Sequence, residues 1–261
     1  MRKHFLARMT AAVVCGAVSL CALTACEQKK VNLENESVLN FQAPEQGEKI
    51  AVVTFKNFGD VKIKLFPEES EKGVENFMTH IENGYYDELI MHRIVKDFVI
   101  QGGDPTGTGG GGEDCWGNKG FDQCISPNLH HFVGAVAYAV NAMDKLNGSQ
   151  FYIVTGESIN EDYLKNLAAS YGKSFSETVQ NAYYAFGGQP FLDNDYEVFG
   201  QVFDGLDVCL KIQDVAVDMS NSKPIDSVII EKAKIVEYDG SGANYMNLKG
   251  EQVDPADIMK K

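Results

Sequence analysis

The sequence predicts a mainly β domain into which a helical hairpin is inserted. Short apolar segments of strand length recur along the chain, among them residues 51–55 and 60–66. One long segment, residues 156–189, carries two helix-start patterns instead. The chain has 261 residues. This exceeds one average domain, but roughly 190 residues fit a single all-β domain, because such domains often run long.

The first 25 residues have the layout of a secretory signal. Three basic residues precede an apolar stretch, residues 11–23, which is too short to span a bilayer comfortably and is followed by small residues. Residues 23–26, Leu-Thr-Ala-Cys, resemble a bacterial lipobox, so processing would leave Cys26 as a lipid-bearing first residue. This predicts an extracytoplasmic protein that is lipid-anchored to a bacterial membrane. The alternative is a plain signal peptide with an incidental cysteine.

Polar segments flank the predicted domain, which spans residues 49–238. Residues 26–48 are polar and nearly free of aromatic side chains, so we expect a tether that gives the domain reach from the membrane. Residues 239–261 are rich in Gly, Asn, Asp and Lys and are expected to form a loosely attached tail, with a short helical turn at 256–259.

An amphipathic helix is predicted after the first two strands. Acidic residues stand near its start, and Asn83-Gly84 suits its end. Its apolar residues follow the i, i+3, i+4, i+7 spacing of one helix face: Val74, Phe77, Met78 and Ile81.

Two segments about forty-five residues apart place polar residues within apolar strands. Residues 91–104 contain Arg93 and end in Gln-Gly-Gly-Asp, while residues 147–153 read Asn-Gly-Ser-Gln-Phe-Tyr-Ile. Both closely resemble the signature stretches of cyclophilin-type peptidyl-prolyl cis/trans isomerases. The resemblance extends from about residue 49 to about residue 238, with one long interruption. It implies a closed, eight-stranded antiparallel barrel capped by two helices, one of which closes a mouth of the barrel with the apolar face described above.

The resemblance implies a reaction in which no bond is made or broken. An X-Pro amide crosses a barrier of roughly 18–20 kcal/mol because twisting destroys its resonance. A catalyst must therefore bind the twisted amide better than either planar form. Arg93 is expected to aim its permanent charge at the prolyl nitrogen, and Gln101 to orient the substrate carbonyl. No cofactor or metal is needed for this chemistry.

The resemblance also implies a groove on the outside of the barrel. Ala139 and Gln150 are expected to line its floor and a neighbouring subsite. A pocket for the proline ring is expected from five aromatic and aliphatic side chains, any of which could instead belong to the core: Phe98, Val99, Tyr152, Phe191 and Leu192.

Four groove positions depart from the best-known eukaryotic cyclophilins. Phe191 stands where those have tryptophan, Tyr196 where they have histidine, Val99 where they have methionine, and Tyr152 where they have phenylalanine. Loss of the indole N–H predicts weak binding of the cyclic peptide drug cyclosporin. Tyr196 keeps a donor in its hydroxyl, and the arginine remains, so we expect catalysis to survive.

Residues 107–112 are glycine-rich and are predicted to form a loop beside the groove, where glycine permits positive φ and close backbone approach. A phosphate-binding loop is disfavoured, because Glu113 and Asp114 follow and would repel phosphate. His92 is predicted to be structural, since a lone histidine in an apolar run more often satisfies a buried hydrogen bond than acts as an acid or base.

The interruption, residues 156–189, contains two capping-box patterns: Ser158 with Glu161, and Ser174 with Glu177. We expect a helical hairpin that either shapes substrate access, binds a partner, or is a decoration without function. Its two apolar faces are predicted to be Tyr163, Leu164, Leu167 and Ala168, and Phe175, Val179, Ala182 and Tyr183.

Three cysteines remain after Cys26. In an exported protein Cys115 and Cys124 could form a disulfide that braces the glycine-rich loop, or could be two reduced thiols. Cys209 looks like a buried helix position. A zinc site is disfavoured, because no CxxC or closely spaced histidine accompanies these cysteines.

The net charge of the chain limits the classes of molecule that it can bind. Without residues 1–25 the chain has 20 basic against 37 acidic residues, a net charge of −17. Phosphate binding needs concentrated Lys and Arg, so nucleic acid is disfavoured. The acidity favours solubility and opposes binding to anionic membranes, so the lipid would provide the attachment.

The sequence therefore predicts a monomeric isomerase that acts on proline-containing, unfolded exported polypeptides. Two alternatives use the same groove. One is a proline-peptide binding module that has lost useful turnover, and the other is a holdase chaperone whose inserted hairpin binds unfolded chains. Retention of Arg93 and Gln101 argues for the isomerase.

Overall fold

The computed structural model describes residues 37–140 and 144–259. The predicted signal, residues 1–25, and the predicted lipidation site, Cys26, lie outside the described residues. In the two described ranges, no helix combines the length and the apolar character that crossing a membrane requires.

The strands are β1 (Lys49–Phe55), β2 (Gly59–Leu65), β3 (Arg93–Val95), β4 (Val99–Gly102), β5 (Ala135–Tyr138), β6 (Phe151–Val154), β7 (Val198–Asp204), β8 (Val217–Asp218), β9 (Lys223–Pro224) and β10 (Ile230–Glu237). The helices are α1 (Glu71–Glu82), α2 (Glu161–Tyr171), α3 (Glu177–Phe186), α4 (Leu206–Ile212) and α5 (Pro255–Met259), with a 3-10 turn at Pro190–Leu192.

Eight strands form one curled antiparallel sheet in the order β10-β1-β2-β7-β5-β6-β4-β3, and β8 pairs with β9 in a separate hairpin. The edge strands β3 and β10 share no ladder. The segment before β3 meets the start of β10 instead. Ile90 bridges Ile229, and Ile230 accepts the main-chain N–H of Glu88 at 2.7 Å and donates its own to the carbonyl of Leu89 at 2.8 Å. The sheet is thus a half-barrel. The predicted eight-stranded antiparallel sheet with helices is confirmed, but its edge strands β3 and β10 form no ladder that would close it into a barrel.

The two faces of the sheet bury two separate apolar clusters. Successive side chains of a strand point to opposite faces. In β6, Phe151 and Ile153 therefore join the main core inside the curl, whereas Tyr152 and Val154 join a smaller cluster on the outer face. This alternation is what places the predicted groove outside the sheet.

Helix α1 confirms the predicted amphipathic helix. Val74, Phe77 and Ile81 are buried in the main core, and Met78 packs against it while partly exposed. The helix ends at Glu82 and is capped by Asn83, as its sequence indicates, and it contacts β7 and β10. Helix α4 contacts β2 and buries Cys209, as predicted for that cysteine.

Helices α2 and α3 confirm the predicted hairpin but not its predicted caps. The side chain of Asn160 accepts the main-chain N–H of Tyr163 at 2.9 Å, and that of Ser176 accepts the N–H of Val179 at 3.3 Å. These residues, not Ser158 and Ser174, begin the helices. Each stands directly before the first helical residue, where its oxygen reaches an otherwise unsatisfied donor.

Residues 37–48 of the predicted tether pack onto the domain. The ring of Phe41 stacks on Phe186 of α3 with centroids 3.9 Å apart, and the side chain of Asn40 donates to the carbonyl of His130 at 3.0 Å. The prediction of a free polar tether is therefore wrong for this part, because a few apolar residues within a polar segment sufficed to anchor it.

The C-terminal segment also packs more closely than predicted. Tyr245 is buried, meets Phe41 edge to face at 5.4 Å, and donates its hydroxyl to the carbonyl of Gln42 at 2.9 Å. Helix α5, which matches the predicted helical turn, contacts α3. The two chain segments that flank the sheet and the inserted hairpin therefore form one continuous packing region.

Candidate active site

Arg93 and Gln101 face each other across the β3–β4 pair. The two residues are in register, and Nη1 of Arg93 donates to Oε1 of Gln101 at 3.3 Å. The turn between the strands places Asp97 at φ 58°, a left-handed conformation that reverses the chain tightly. The hairpin thus fixes both predicted catalytic side chains on one surface.

A chain of hydrogen bonds between side-chain amides extends from Gln101. Its Nε2 donates to Oε1 of Gln150 at 3.1 Å, and Nε2 of Gln150 donates to the carbonyls of Gly109 at 3.1 Å and Gly111 at 2.7 Å. Because an amide has one acceptor end and one donor end, this order fixes the orientation of both side chains. Gln101 therefore presents its oxygen to the arginine.

The glycine-rich segment lies beside this line, as predicted. Gly107, Gly109 and Gly112 have positive φ values of 62°, 85° and 112°. Burial disfavours ionisation of Asp104, but hydrogen bonds from Thr106 and from loop amides outweigh burial and lower the pKa of Asp104 to about 2. This carboxylate organises the loop that supports Gln150.

The guanidinium of Arg93 has an aromatic neighbour and no acidic partner. Its Cζ lies 5.5 Å from the centroid of the Phe98 ring. Within the described ranges, no carboxylate forms a salt bridge with it. Burial lowers the pKa of Arg93 from its usual value, but an arginine remains charged at neutral pH. The half-buried cation is therefore available to a ligand.

The remaining predicted residues form the wall next to Arg93. Val99, Tyr152 and Leu192 are buried in the outer-face cluster, and Phe98, Ala139 and Tyr196 pack against it while partly exposed. Val99, Tyr152 and Leu192 therefore form the buried floor of the groove. Phe98, Ala139 and Tyr196 form its accessible surface. Sequence reasoning could not make that distinction.

Phe191 completes the wall from the other side. Its ring is 38% exposed and stacks on Phe98, with centroids 5.9 Å apart and an interplanar angle of 17°. Tyr196 meets Tyr152 edge to face at 6.4 Å, and the N–H of Ala139 donates to the carbonyl of Gln150 at 3.0 Å. The structure thus brings all ten predicted site residues into one connected surface.

A family model described as cyclophilin type peptidyl-prolyl cis-trans isomerase/CLD matches residues 50–235. The chain belongs to the cyclophilin family. It is a peptidyl-prolyl cis/trans isomerase, and proline-containing peptides are the ligands that cyclophilins bind.

Bacterial relatives cover most of the chain. A Staphylococcus aureus (strain USA300) protein named "Putative peptidyl-prolyl cis-trans isomerase" is 42% identical over 193 residues, which are 74% of this chain and 94% of the relative. A Staphylococcus epidermidis protein of the same name is 40% identical over 192 residues, with the same shares. Among solved structures, a Cryptosporidium parvum cyclophilin crystallised in the presence of the dipeptide Ala-Pro matches with a TM-score of 0.57 and 30% identity, covering 72% of this chain and 99% of that one.

A buried polar network behind the cyclophilin groove was not foreseen from the sequence. The Asp193 carboxylate accepts the His131 main-chain N–H at 2.8 Å and the Tyr183 hydroxyl at 2.6 Å, and lies 3.0 Å from Nδ1 of His130. Burial disfavours the ionised form of Asp193, but the hydrogen bonds from His130 and His131 outweigh burial and hold its pKa below the usual value. Nothing local in the sequence marks this network, because its members come from three separate segments.

His92 differs from its prediction. The imidazole is buried, yet neither ring nitrogen has a hydrogen-bond partner in the described part of the chain. Burial lowers the pKa of His92, so the neutral form is favoured. The imidazole thus packs beneath the glycine-rich loop without the hydrogen bond that the sequence predicts.

The three cysteines within the described residues are free thiols. Cys115 is half-buried, Cys124 is exposed and Cys209 is buried, and none forms a disulfide. Of the two alternatives for Cys115 and Cys124, the structure has the reduced pair. Burial raises the pKa of Cys209 to about 12, which makes it inert. In the described ranges, no group of three or more His, Cys, Asp or Glu residues is arranged to hold a metal ion.

Proposed function

We propose that this isomerase accelerates X-Pro isomerisation in exported polypeptides, with Arg93 as the catalytic residue. The observation that carries the proposal is the half-buried guanidinium of Arg93, which lies over Phe98 and has no acidic partner in the described residues. A cation kept free in this way is costly unless a ligand uses it. It is therefore better explained by catalysis than by stability.

The proline ring would lie on Phe98 and over the floor made by Val99 and Leu192. Arg93 uses one of its five N–H donors in the 3.3 Å hydrogen bond to Gln101. The remaining donors can reach the prolyl nitrogen. Its lone pair accepts a hydrogen bond only when twisting removes amide resonance, so the contact favours the transition state over both planar isomers.

Gln101 positions the guanidinium of Arg93 in this mechanism. Its oxygen holds the guanidinium in register, and its own position is fixed by Gln150 at 3.1 Å. The planar substrate amide needs no proton transfer, so the neutral state of the neighbouring His92 is compatible with the reaction. Arg93, positioned by Gln101, would thus supply the donor that the reaction requires.

The site of action is proposed from the N-terminal sequence. The basic start, the short apolar stretch and the Leu-Thr-Ala-Cys segment that ends at Cys26 support export and lipid attachment. We expect fatty-acid label to be incorporated into the full chain in a bacterial host and lost in Cys26→Ser. Equal labelling of both would contradict lipidation at Cys26.

The catalytic proposal is tested by magnetisation-transfer NMR on an X-Pro peptide with the full chain. Arg93→Ala should reduce catalysed exchange by roughly 100-fold or more, because loss of one transition-state donor typically costs that much. Lys96→Ala is the matched control, since Lys96 lies on the same hairpin, is exposed and pairs with Asp214. It should leave exchange unchanged.

Equal exchange in wild type and Arg93→Ala would remove Arg93 from the mechanism. The holdase alternative predicts a different pattern, in which Arg93→Ala suppresses aggregation of an unfolded client as well as wild type does. Measuring both activities on the same variants separates folding catalysis from simple binding.

A further inference from the structure

A cavity of about 480 Å³ lies next to the groove, between α2 of the inserted hairpin and the segment that contains Phe191. Its volume falls within the range of roughly 300–1,000 Å³ that is typical of ligand sites. The Phe191 ring belongs to both places, because it also stacks on Phe98, which in turn lies under the Arg93 guanidinium. The cavity therefore adjoins the groove at Phe191.

The lining is largely apolar and aromatic. Helix α2 contributes Tyr163, Leu167 and Tyr171, and Phe191 forms the opposite side. Tyr171 is 74% exposed and Phe191 is 38% exposed, so two large rings face solvent around one depression. Clustered exposed apolar surface of this kind commonly marks a binding site.

The one cation in the lining is already neutralised. Nζ of Lys173 donates to the carbonyls of Phe191 at 2.5 Å and Asp193 at 2.7 Å, and to Oδ2 of Asp195 at 2.6 Å. An ammonium group has three donors, so none is left for a ligand. Asp195, which also lines the cavity, is the counter-ion of this lysine, so the pair carries no net charge, and the side chains of Asn166 and Ser170 are uncharged. The cavity therefore selects an apolar side chain and not a charged one.

We propose that this cavity is a second substrate subsite, which binds a large apolar or aromatic side chain of the same polypeptide whose proline occupies the groove. The Phe98 and Phe191 ring centroids are 5.9 Å apart, and the cavity begins beyond Phe191. An extended chain advances about 3.3 Å per residue, so the side chain belongs to a residue about two to four positions from the proline. The proposal rests on the proposed function of the groove.

The consequence for function is a preference for unfolded segments. A proline that lies near a large apolar residue is typical of sequence that is buried after folding, and the subsite would favour it over a solvent-exposed proline. The inserted hairpin would thus act in substrate selection.

The test uses the full chain and a series of one-proline peptides. In each peptide a single Phe or, in its matched partner, a single Ser occupies one position two to four residues before or after the proline. Catalysed exchange is measured by magnetisation-transfer NMR, and the Kd by chemical-shift titration. Partial burial of a Phe side chain predicts roughly a three- to tenfold preference for Phe at one or two of these positions.

Two variants alter the cavity without touching the groove. Ser170→Trp fills it, and Tyr171→Ser removes its most exposed wall; both positions are exposed on α2. Each should bring the ratio of catalysed exchange for a Phe peptide to that for its Ser partner close to one, while exchange of the Ser peptides is unchanged. Ala169→Trp, which adds the same ring at an exposed position of α2 outside the lining, should keep the wild-type ratio.

A ratio of one in wild type, or a preference that survives in both cavity variants, would overturn the subsite. Self-association that Tyr171→Ser abolishes, together with an unchanged peptide ratio, would overturn it as well and assign the cavity to a second copy of the chain. If wild type shows no catalysed exchange but a Kd preference that Ser170→Trp removes, the isomerase mechanism fails and the subsite stands.

Discussion

The hydroxyl of Tyr152 lies 3.0 Å from Nε2 of His131, whose Nδ1 lies 2.7 Å from the Asp193 carboxylate. A carboxylate only accepts hydrogen bonds, so Nδ1 of a neutral His131 carries the proton and Nε2 accepts from the tyrosine. The floor of the groove is thereby bonded to the segment that follows Phe191. Tyr183 of the inserted hairpin donates to the same carboxylate at 2.6 Å, so the insertion is bonded to the groove floor as well.

Tyr152→Phe should lower the free energy of unfolding by about 1–2 kcal/mol, because it leaves the buried Nε2 of His131 without a donor. Urea denaturation with an unchanged m-value measures the effect. Tyr196→Phe is the control, since within the described residues the Tyr196 side chain makes a ring contact but no hydrogen bond. A loss of equal size in both variants would argue against the role of the His131 contact.

Lys173→Met should raise KM for a proline peptide by roughly three- to tenfold with a smaller effect on kcat, because three hydrogen bonds that hold the Phe191 segment are lost. Lys165→Met is the matched control. It removes a lysine of the same hairpin that pairs with Glu161 at side-chain exposures of 65% and 70%. Such exposed pairs contribute little, so its kinetics should equal those of wild type. Unchanged kinetics in Lys173→Met would show that the segment holds its position without the lysine.

His92→Leu should flatten the dependence of stability on pH. Burial lowers the pKa of His92 below its usual 6.5. As pH falls below about 6.5 the unfolded chain therefore binds a proton that the folded protein resists, and stability is lost. Urea denaturation at pH 7.5, 6.5 and 5.5 should give a smaller loss in the variant. A slope equal to that of wild type would indicate that His92 is protonated equally well in both states.

Phe191→Trp should strengthen cyclosporin binding by roughly three- to tenfold, which corresponds to one additional neutral hydrogen bond from the indole N–H. The exposed position of Phe191 tolerates the larger ring. Isothermal titration of wild type and variant measures the Kd, and peptide exchange by the same samples verifies that both grooves are intact. Equal affinities would mean that the missing donor does not explain weak binding.

Much of this fold could be predicted from the periodicity of apolar residues in the sequence. The 3.6-residue spacing of Val74, Phe77 and Ile81 predicted α1, and the apolar faces of the insertion predicted α2 and α3. The capping-box pattern predicts both helix starts two residues too early, because Ser158 and Ser174 have a Glu three residues later whereas Asn160 and Ser176, which bond to the helix ends, do not. Local patterns do not reveal which of two nearby oxygens reaches the first turn.

The candidate site could be predicted from the sequence for a different reason. Arg93, Gln101 and Gln150 stand in two segments whose residue order marks the family, and their register on β3, β4 and β6 follows from strand pairing. The Asp193 network and the cavity at Phe191 were not accessible, because they join residues that are distant in sequence and carry no motif.

Local periodicity and motifs of adjacent residues are enough to indicate the family, its reaction, helix α1, the inserted hairpin and the candidate groove residues. Three features come from the three-dimensional structure instead: the sheet is a half-barrel, residues 37–48 and the segment around Tyr245 pack near the inserted hairpin, and Lys173 and His131 hold the segment of Phe191 and Asp193. These features are contacts between segments far apart in the chain, and such contacts depend on how the apolar faces meet in three dimensions.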